Sequence, residues 1–98
     1  MFYKCYYAEL HIHRLPAKLS SCIGAFDYCY RAVIDLDELA ANAPAEGWTE
    51  ITDITRMFYK AGSSNVPGTV TGSRSAFLAK LPKVRTTNNA FYDTNTTE

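Results

Sequence analysis

The sequence predicts a small α+β domain: a small sheet with two or three short helices on one face, a long Gly/Ser/Thr loop and an extended C-terminal arm. Three observations point there. Two stretches alternate side chains with a period of two, two others place apolar residues at helical spacing, and 47% of the residues are hydrophobic, enough to offset the entropy of ordering one core. A chain of 98 residues fits one domain, read as residues 1–85, with residues 86–98 as a polar arm.

The first strand is expected over residues 2–13, where Tyr6, Ala8, Leu10 and Ile12 alternate with Tyr7, Glu9, His11 and His13. Pro16 ends it, because proline cannot donate to a ladder. A second alternation, Phe26, Tyr28, Tyr30, Ala32 and Ile34 against Asp27, Cys29, Arg31, Val33 and Asp35, predicts a strand over residues 25–34. Asp35 and Glu38 form a capping pattern that opens a helix over 36–43, with Leu36, Leu39, Ala40 and Ala43 on one face and Pro44 as the stop.

After Gly47, residues 48–52 read as a short strand. Ile54, Met57, Phe58 and Ala61 then occupy i, i+3, i+4 and i+7, which predicts a helix over 53–61, capped by Asp53 and closed by Gly62. Residues 63–75 read as a long loop, with Val66-Pro67-Gly68-Thr69 matching a type II turn. Residues 76–81 offer one or two helical turns before Pro82. After Arg85 the chain is Thr, Asn and Asp around a lone Phe91-Tyr92 pair, a composition too polar to fold by itself. No internal repeat stands out.

Formal net charge is zero but unevenly spread. In residues 1–31, Lys4, Arg14, Lys18 and Arg31 against Glu9 and Asp27 give +2. In residues 32–59, Asp35, Asp37, Glu38, Glu46, Glu50 and Asp53 against Arg56 give −5. In residues 60–98, Lys60, Arg74, Lys80, Lys83 and Arg85 against Asp93 and Glu98 give +3. Such a split sets up complementary fields that favour head-to-tail contact between copies or with a partner, unless folding interleaves the charges. Nothing at the N-terminus resembles a signal peptide, and no apolar run is long enough to span a bilayer. The expectation is a reducing compartment, with Cys5, Cys22 and Cys29 as thiols and a Cys22–Cys29 bridge as the alternative.

No motif for catalysis emerges. The acidic group Asp35, Asp37 and Glu38 sits at a helix start, where the helix dipole accounts for it. Gly72-Ser73-Arg74-Ser75 lacks the pattern of a phosphate loop. His11 and His13 share a strand face, with Cys5 and Glu9 of the same parity, but no third histidine completes a metal set. The reading is therefore no enzyme, no cofactor and no metal.

The segment Gly47-Trp48-Thr49-Glu50-Ile51-Thr52, followed by Asp53, resembles a segment of short proteins encoded among tailed-bacteriophage structural genes, and Met1-Phe2-Tyr3-Lys4 is similar to their N-termini. The acidic run that follows in those proteins is replaced here by Ile54-Thr55-Arg56-Met57-Phe58-Tyr59. The resemblance implies a virion-associated role, in a virion or in host cytoplasm. The expected function is a non-enzymatic structural subunit, a head or tail accessory protein working through protein–protein contacts with other copies or other virion proteins. The contact residues expected are Val66, Pro67 and Gly68 in the loop, Lys80, Lys83 and Arg85, and Phe91 and Tyr92 in the arm. The alternative is a small nucleic-acid-binding or host-targeting phage protein, since Arg74, Lys80, Lys83 and Arg85 cluster and aromatic side chains stack on bases.

Overall fold

The computed structural model describes residues 6–63 and 68–98. It is an α+β arrangement of a three-stranded parallel sheet and two short helices. The order along the chain is β1 (Leu10–Ile12), β2 (Ala32–Asp35), α1 (Leu36–Ala41), β3 (Val70–Thr71) and α2 (Arg74–Leu78). The sheet order is β1-β2-β3, with Leu10 opposite Ala32 and Ile34 opposite Val70.

Parallel neighbours demand a long return path between strands, and this path is the dominant feature of the molecule. The stretch after each strand runs through a helix or extended segment and then through a chain of consecutive turns, at residues 23–28, 55–63 and 88–93. In the first turn run, the Ala25, Asp27 and Cys29 amides donate to the carbonyls of Cys22, Gly24 and Phe26, each three residues back. Met57, Tyr59 and Ala61 repeat the pattern on Ile54, Arg56 and Phe58, and Ala90 and Tyr92 repeat it on Thr87 and Asn89.

The alternate amides leave the coil and bind the next one. Gly24, Phe26 and Tyr28 donate to Thr55, Met57 and Tyr59 at 2.7–2.9 Å, while Ile54, Arg56, Phe58 and Lys60 donate to Thr86, Asn88, Ala90 and Tyr92 at 2.8–2.9 Å. Positive φ angles mark the register: Gly24 and Tyr28 in the first run, Arg56 and Lys60 in the second, Asn89 and Asp93 in the third. These pairs align the motifs Gly24-Ala25-Phe26-Asp27-Tyr28, Arg56-Met57-Phe58-Tyr59-Lys60 and Asn89-Ala90-Phe91-Tyr92-Asp93. The described residues thus form three stacked coils, a short solenoid in which each coil is stabilised by its neighbour, and the internal repeat that inspection of the sequence missed is present.

The core follows the stack. Phe26, Phe58 and Phe91 occupy equivalent places, with Phe58 stacked on Phe26 at 5.5 Å and on Phe91 at 5.7 Å. Phe77 of α2 meets Phe58 edge-on at 5.8 Å and lies 5.9 Å from Trp48, whose indole N–H donates to the Pro16 carbonyl. Leu36, Leu39, Ile34, Ile51, Ile54, Met57 and Val70 close the interior, all buried.

Several expectations change. Within 25–34 only the end is strand, because residues 23–28 are turns. Residues 48–52 form no strand, and their neighbour Asp53 makes only an isolated bridge to Thr86. Residues 53–61 are not a helix: the i, i+3, i+4 spacing there arises from turns whose left-handed residues recur every four positions. The helix expected over 36–43 is present as α1, and its Asp35 cap accepts from the Asp37 amide at 3.0 Å. The helical turns expected over 76–81 begin earlier, at α2, where the Ser73 hydroxyl accepts from the Ala76 amide. Within the expected loop 63–75, Val70 and Thr71 form β3, and residues 64–67 lie outside the described residues. Residues 86–98 do not extend as an arm. They make the third turn run, and beyond it the Asn95 and Thr97 amides donate to Val70 and Gly72.

Candidate functional site

Among the described residues, the outer face of the third coil carries a row of unused donors. Its motif places the Thr87, Asn89, Phe91 and Asp93 amides where Ile54, Arg56, Phe58 and Lys60 stand in the second coil. In the second coil all four amides donate outward to the next coil. In the third, none of the four has an acceptor among the described residues. Beside this row lies an open groove of about 360 Å³ lined by Arg74, Ser75, Leu78, Thr87, Phe91 and Glu98. Leu78 and Phe91 give it an apolar lining, with the Arg74 and Glu98 side chains supplying opposite charges.

Phe91 and Tyr92 fall on this face. Tyr92 is 53% exposed and stacks on Tyr59 of the coil beneath at 5.0 Å. Gly68 is drawn to the same coil, because its carbonyl accepts from the Asn95 side-chain amide at 3.0 Å. Val66 and Pro67 lie outside the described residues. Lys80, Lys83 and Arg85 sit on the connection from α2 into the third turn run. The Lys80 carbonyl accepts from the Trp48 amide and the Arg85 amide donates to Thr52, so these backbones are structural while the Lys83 and Arg85 side chains are exposed.

A tyrosine stripe along the turn side was not read from the sequence. Tyr28 meets Tyr59 edge-on at 5.4 Å, Tyr59 stacks on Tyr92, and Tyr6 packs on Tyr28 and Tyr30. Arg56 is threaded through it, its guanidinium 4.1 Å from the Tyr59 ring centre and 5.5 Å from that of Tyr28, a cation–π arrangement. The guanidinium also lies 3.7 Å from the carboxylate of Asp27, which is 3% exposed. A side-chain hydrogen bond with Tyr28, aided by the charge of Asp27, holds Arg56 above its ordinary range. The signal was the tyrosine within two residues of each phenylalanine: Phe26-Asp27-Tyr28, Phe58-Tyr59 and Phe91-Tyr92.

The histidines do not converge. His11 Nε2 lies 3.0 Å from Glu9 and His13 Nδ1 lies 3.0 Å from Glu38. The hydrogen bond with His11, with Arg31 nearby, holds the Glu9 carboxyl below the usual carboxylate range. Among the described residues, no group of three or more His, Cys, Asp or Glu side chains comes together. Cys5 lies outside the described residues. Cys22 and Cys29 are buried and not joined to each other, and burial pushes the Cys22 thiol up to about 12. No described helix is long and apolar enough to cross a membrane.

The chain matches no family model, no curated protein and no solved structure.

Proposed function

We propose that this protein is a non-enzymatic contact subunit of a larger assembly, acting through protein–protein contacts, with a phage virion accessory role as the context implied by its tryptophan segment. The observation that carries this reading is the row of four outward amides at Thr87, Asn89, Phe91 and Asp93 beside an open groove. Exposed rows of this kind template pairing with another chain, and soluble proteins commonly cover or blunt them. The tyrosine stripe supports the same reading over nucleic-acid binding. Tyr59 has Arg56 close to its ring and Tyr92 stacked on it, so its two neighbours take up the Tyr59 ring, and the exposed side of Tyr92 is the aromatic surface open to a partner.

Light scattering across protein concentration and salt tests the proposal. A mass that rises above 11.0 kDa with concentration is expected. A mass held at the monomer value under every condition, together with oligonucleotide binding that weakens steeply as salt rises, would replace this reading with the nucleic-acid alternative.

A further inference from the structure

We infer that the outer edge of the third coil is a docking edge for one further coil, supplied by a separate polypeptide segment built on the same phenylalanine-centred motif. The inference deepens the contact-subunit reading and rests on it.

Polarity decides what fits. The four amides of the edge are donors, so two copies cannot pair through this edge about a twofold axis: donor would face donor. The occupant must present carbonyls at alternate residues and run parallel to the third coil. The coil interfaces within the molecule show such an occupant twice. Thr55, Met57 and Tyr59 offer their carbonyls to the first coil, and Thr86, Asn88, Ala90 and Tyr92 offer theirs to the second.

Continuity of the aromatic stack fixes the side chain. Phe26, Phe58 and Phe91 follow one another at 5.5 and 5.7 Å with interplanar angles of 6° and 16°. Phe91 lines the open groove together with Leu78. A phenylalanine at the centre of the incoming motif continues the column there, while its flanking carbonyls take the amides of Thr87, Asn89, Phe91 and Asp93. Tyr92 offers its exposed side to an aromatic residue following that phenylalanine, as Tyr59 does to Tyr92.

The probe is a terminally blocked peptide of residues 86–98, whose carbonyls already sit on an equivalent amide row in the second coil. Peptide is titrated into the intact protein and amide hydrogen exchange is followed residue by residue by NMR. Saturating peptide is expected to slow exchange at Thr87, Asn89, Phe91 and Asp93 by about tenfold or more, with Ile54, Arg56, Phe58 and Lys60 unchanged. The same peptide carrying Phe91→Ser is expected to bind about tenfold or more weakly, the value of losing one buried aromatic side chain.

Exchange at the four amides that stays unchanged at millimolar peptide, or slows equally with a scrambled peptide, overturns the inference. Slowing that tracks protein concentration without peptide names a second copy as the occupant and overturns the choice of a separate segment. Self-association with these four amides still exchanging freely sinks the edge and leaves the contact-subunit reading standing, whereas peptide binding by a strictly monomeric protein supports the edge and removes self-association.

Discussion

Replacing Phe58 with alanine tests whether the aromatic column holds the coils together. Phe58 is fully buried and touches three rings: Phe26 at 5.5 Å, Phe91 at 5.7 Å and Phe77 at 5.8 Å. Truncating a buried phenylalanine to alanine costs about 3–5 kcal/mol. Each ring pair adds about 0.5–1.5 kcal/mol beyond area burial, so Phe58→Leu, which keeps most of the apolar volume, is expected to cost about 1.5 kcal/mol or more. Phe91 stands at the end of the column, partly exposed, and Phe91→Ala should cost less, about 2 kcal/mol. A domain of this size has only about 5–15 kcal/mol in total, so Phe58→Ala approaches loss of the fold and Phe58→Leu is the variant that keeps the comparison measurable. Urea unfolding followed by Trp48 fluorescence, with circular dichroism as a second probe, gives the three values. A cost for Phe58→Leu near zero, or a cost for Phe58→Ala no larger than for Phe91→Ala, would refute the column as the organising contact.

Deleting residues 86–98 removes the carbonyls that serve Ile54, Arg56, Phe58 and Lys60; at about 0.5–1.5 kcal/mol per hydrogen bond, the lost bonds alone amount to about 2–6 kcal/mol, and thermal unfolding should show a large drop in Tm rather than an intact body. Gly47→Ala places a Cβ 2.3 Å from the Lys80 carbonyl oxygen at a φ of +77°, which should cost about 3 kcal/mol in urea unfolding. Lys60 has a φ of +57°, so Lys60→Val should destabilise by about 1–2 kcal/mol while Lys60→Gly, measured alongside it, costs less. The hydroxyl of Thr55, and then its amide, hold the Asp53 carboxyl below the usual range. A lowered folded value means that its stabilising contribution is present above the unfolded pKa of about 3.9 and disappears as pH falls through the folded one. The stability gap between the protein and Asp53→Asn should therefore shrink below about pH 4, and a gap that stays flat down to strongly acid pH would contradict this.

The same local structure was legible in three incompatible ways. In the first coil, Gly24, Phe26 and Tyr28 alternate with Ala25 and Asp27 because every second amide points to the next coil, and this period of two imitates a strand. In the second, Ile54, Met57, Phe58 and Ala61 imitate a helix, because buried positions recur with left-handed residues four apart. In the third, Thr87 and Thr94 stand where the second coil has Ile54 and Ala61, and the polar composition imitates disorder. Only phenylalanine is common to all three motifs, and the left-handed positions are filled by Gly24, Arg56 and Asn89, then by Tyr28, Lys60 and Asp93, so no glycine pattern announces the turns. What depended on local chemistry was readable: the Asp35 cap and α1. The amide row was not, because it exists only once the coils are in register.

The direction of the coil-to-coil bonds gives the molecule an electrical sense. On the sheet side, donors run both ways, from Ile34 to Thr69 and from Asn95 back to Val70, so the peptide dipoles largely cancel. On the turn side, the seven bonds from Gly24, Phe26, Tyr28, Ile54, Arg56, Phe58 and Lys60 point from the earlier coil to the later one, against reversed bonds at the ends of the runs, from Gly62 to Cys29 and from Arg85 and Thr86 to Thr52. The dipoles of the forward bonds add along the stacking axis as those of a helix add along its own. One flank of the solenoid is therefore polarised with its positive pole at the outermost turns, a field built from backbone alone in a chain whose formal charge is zero.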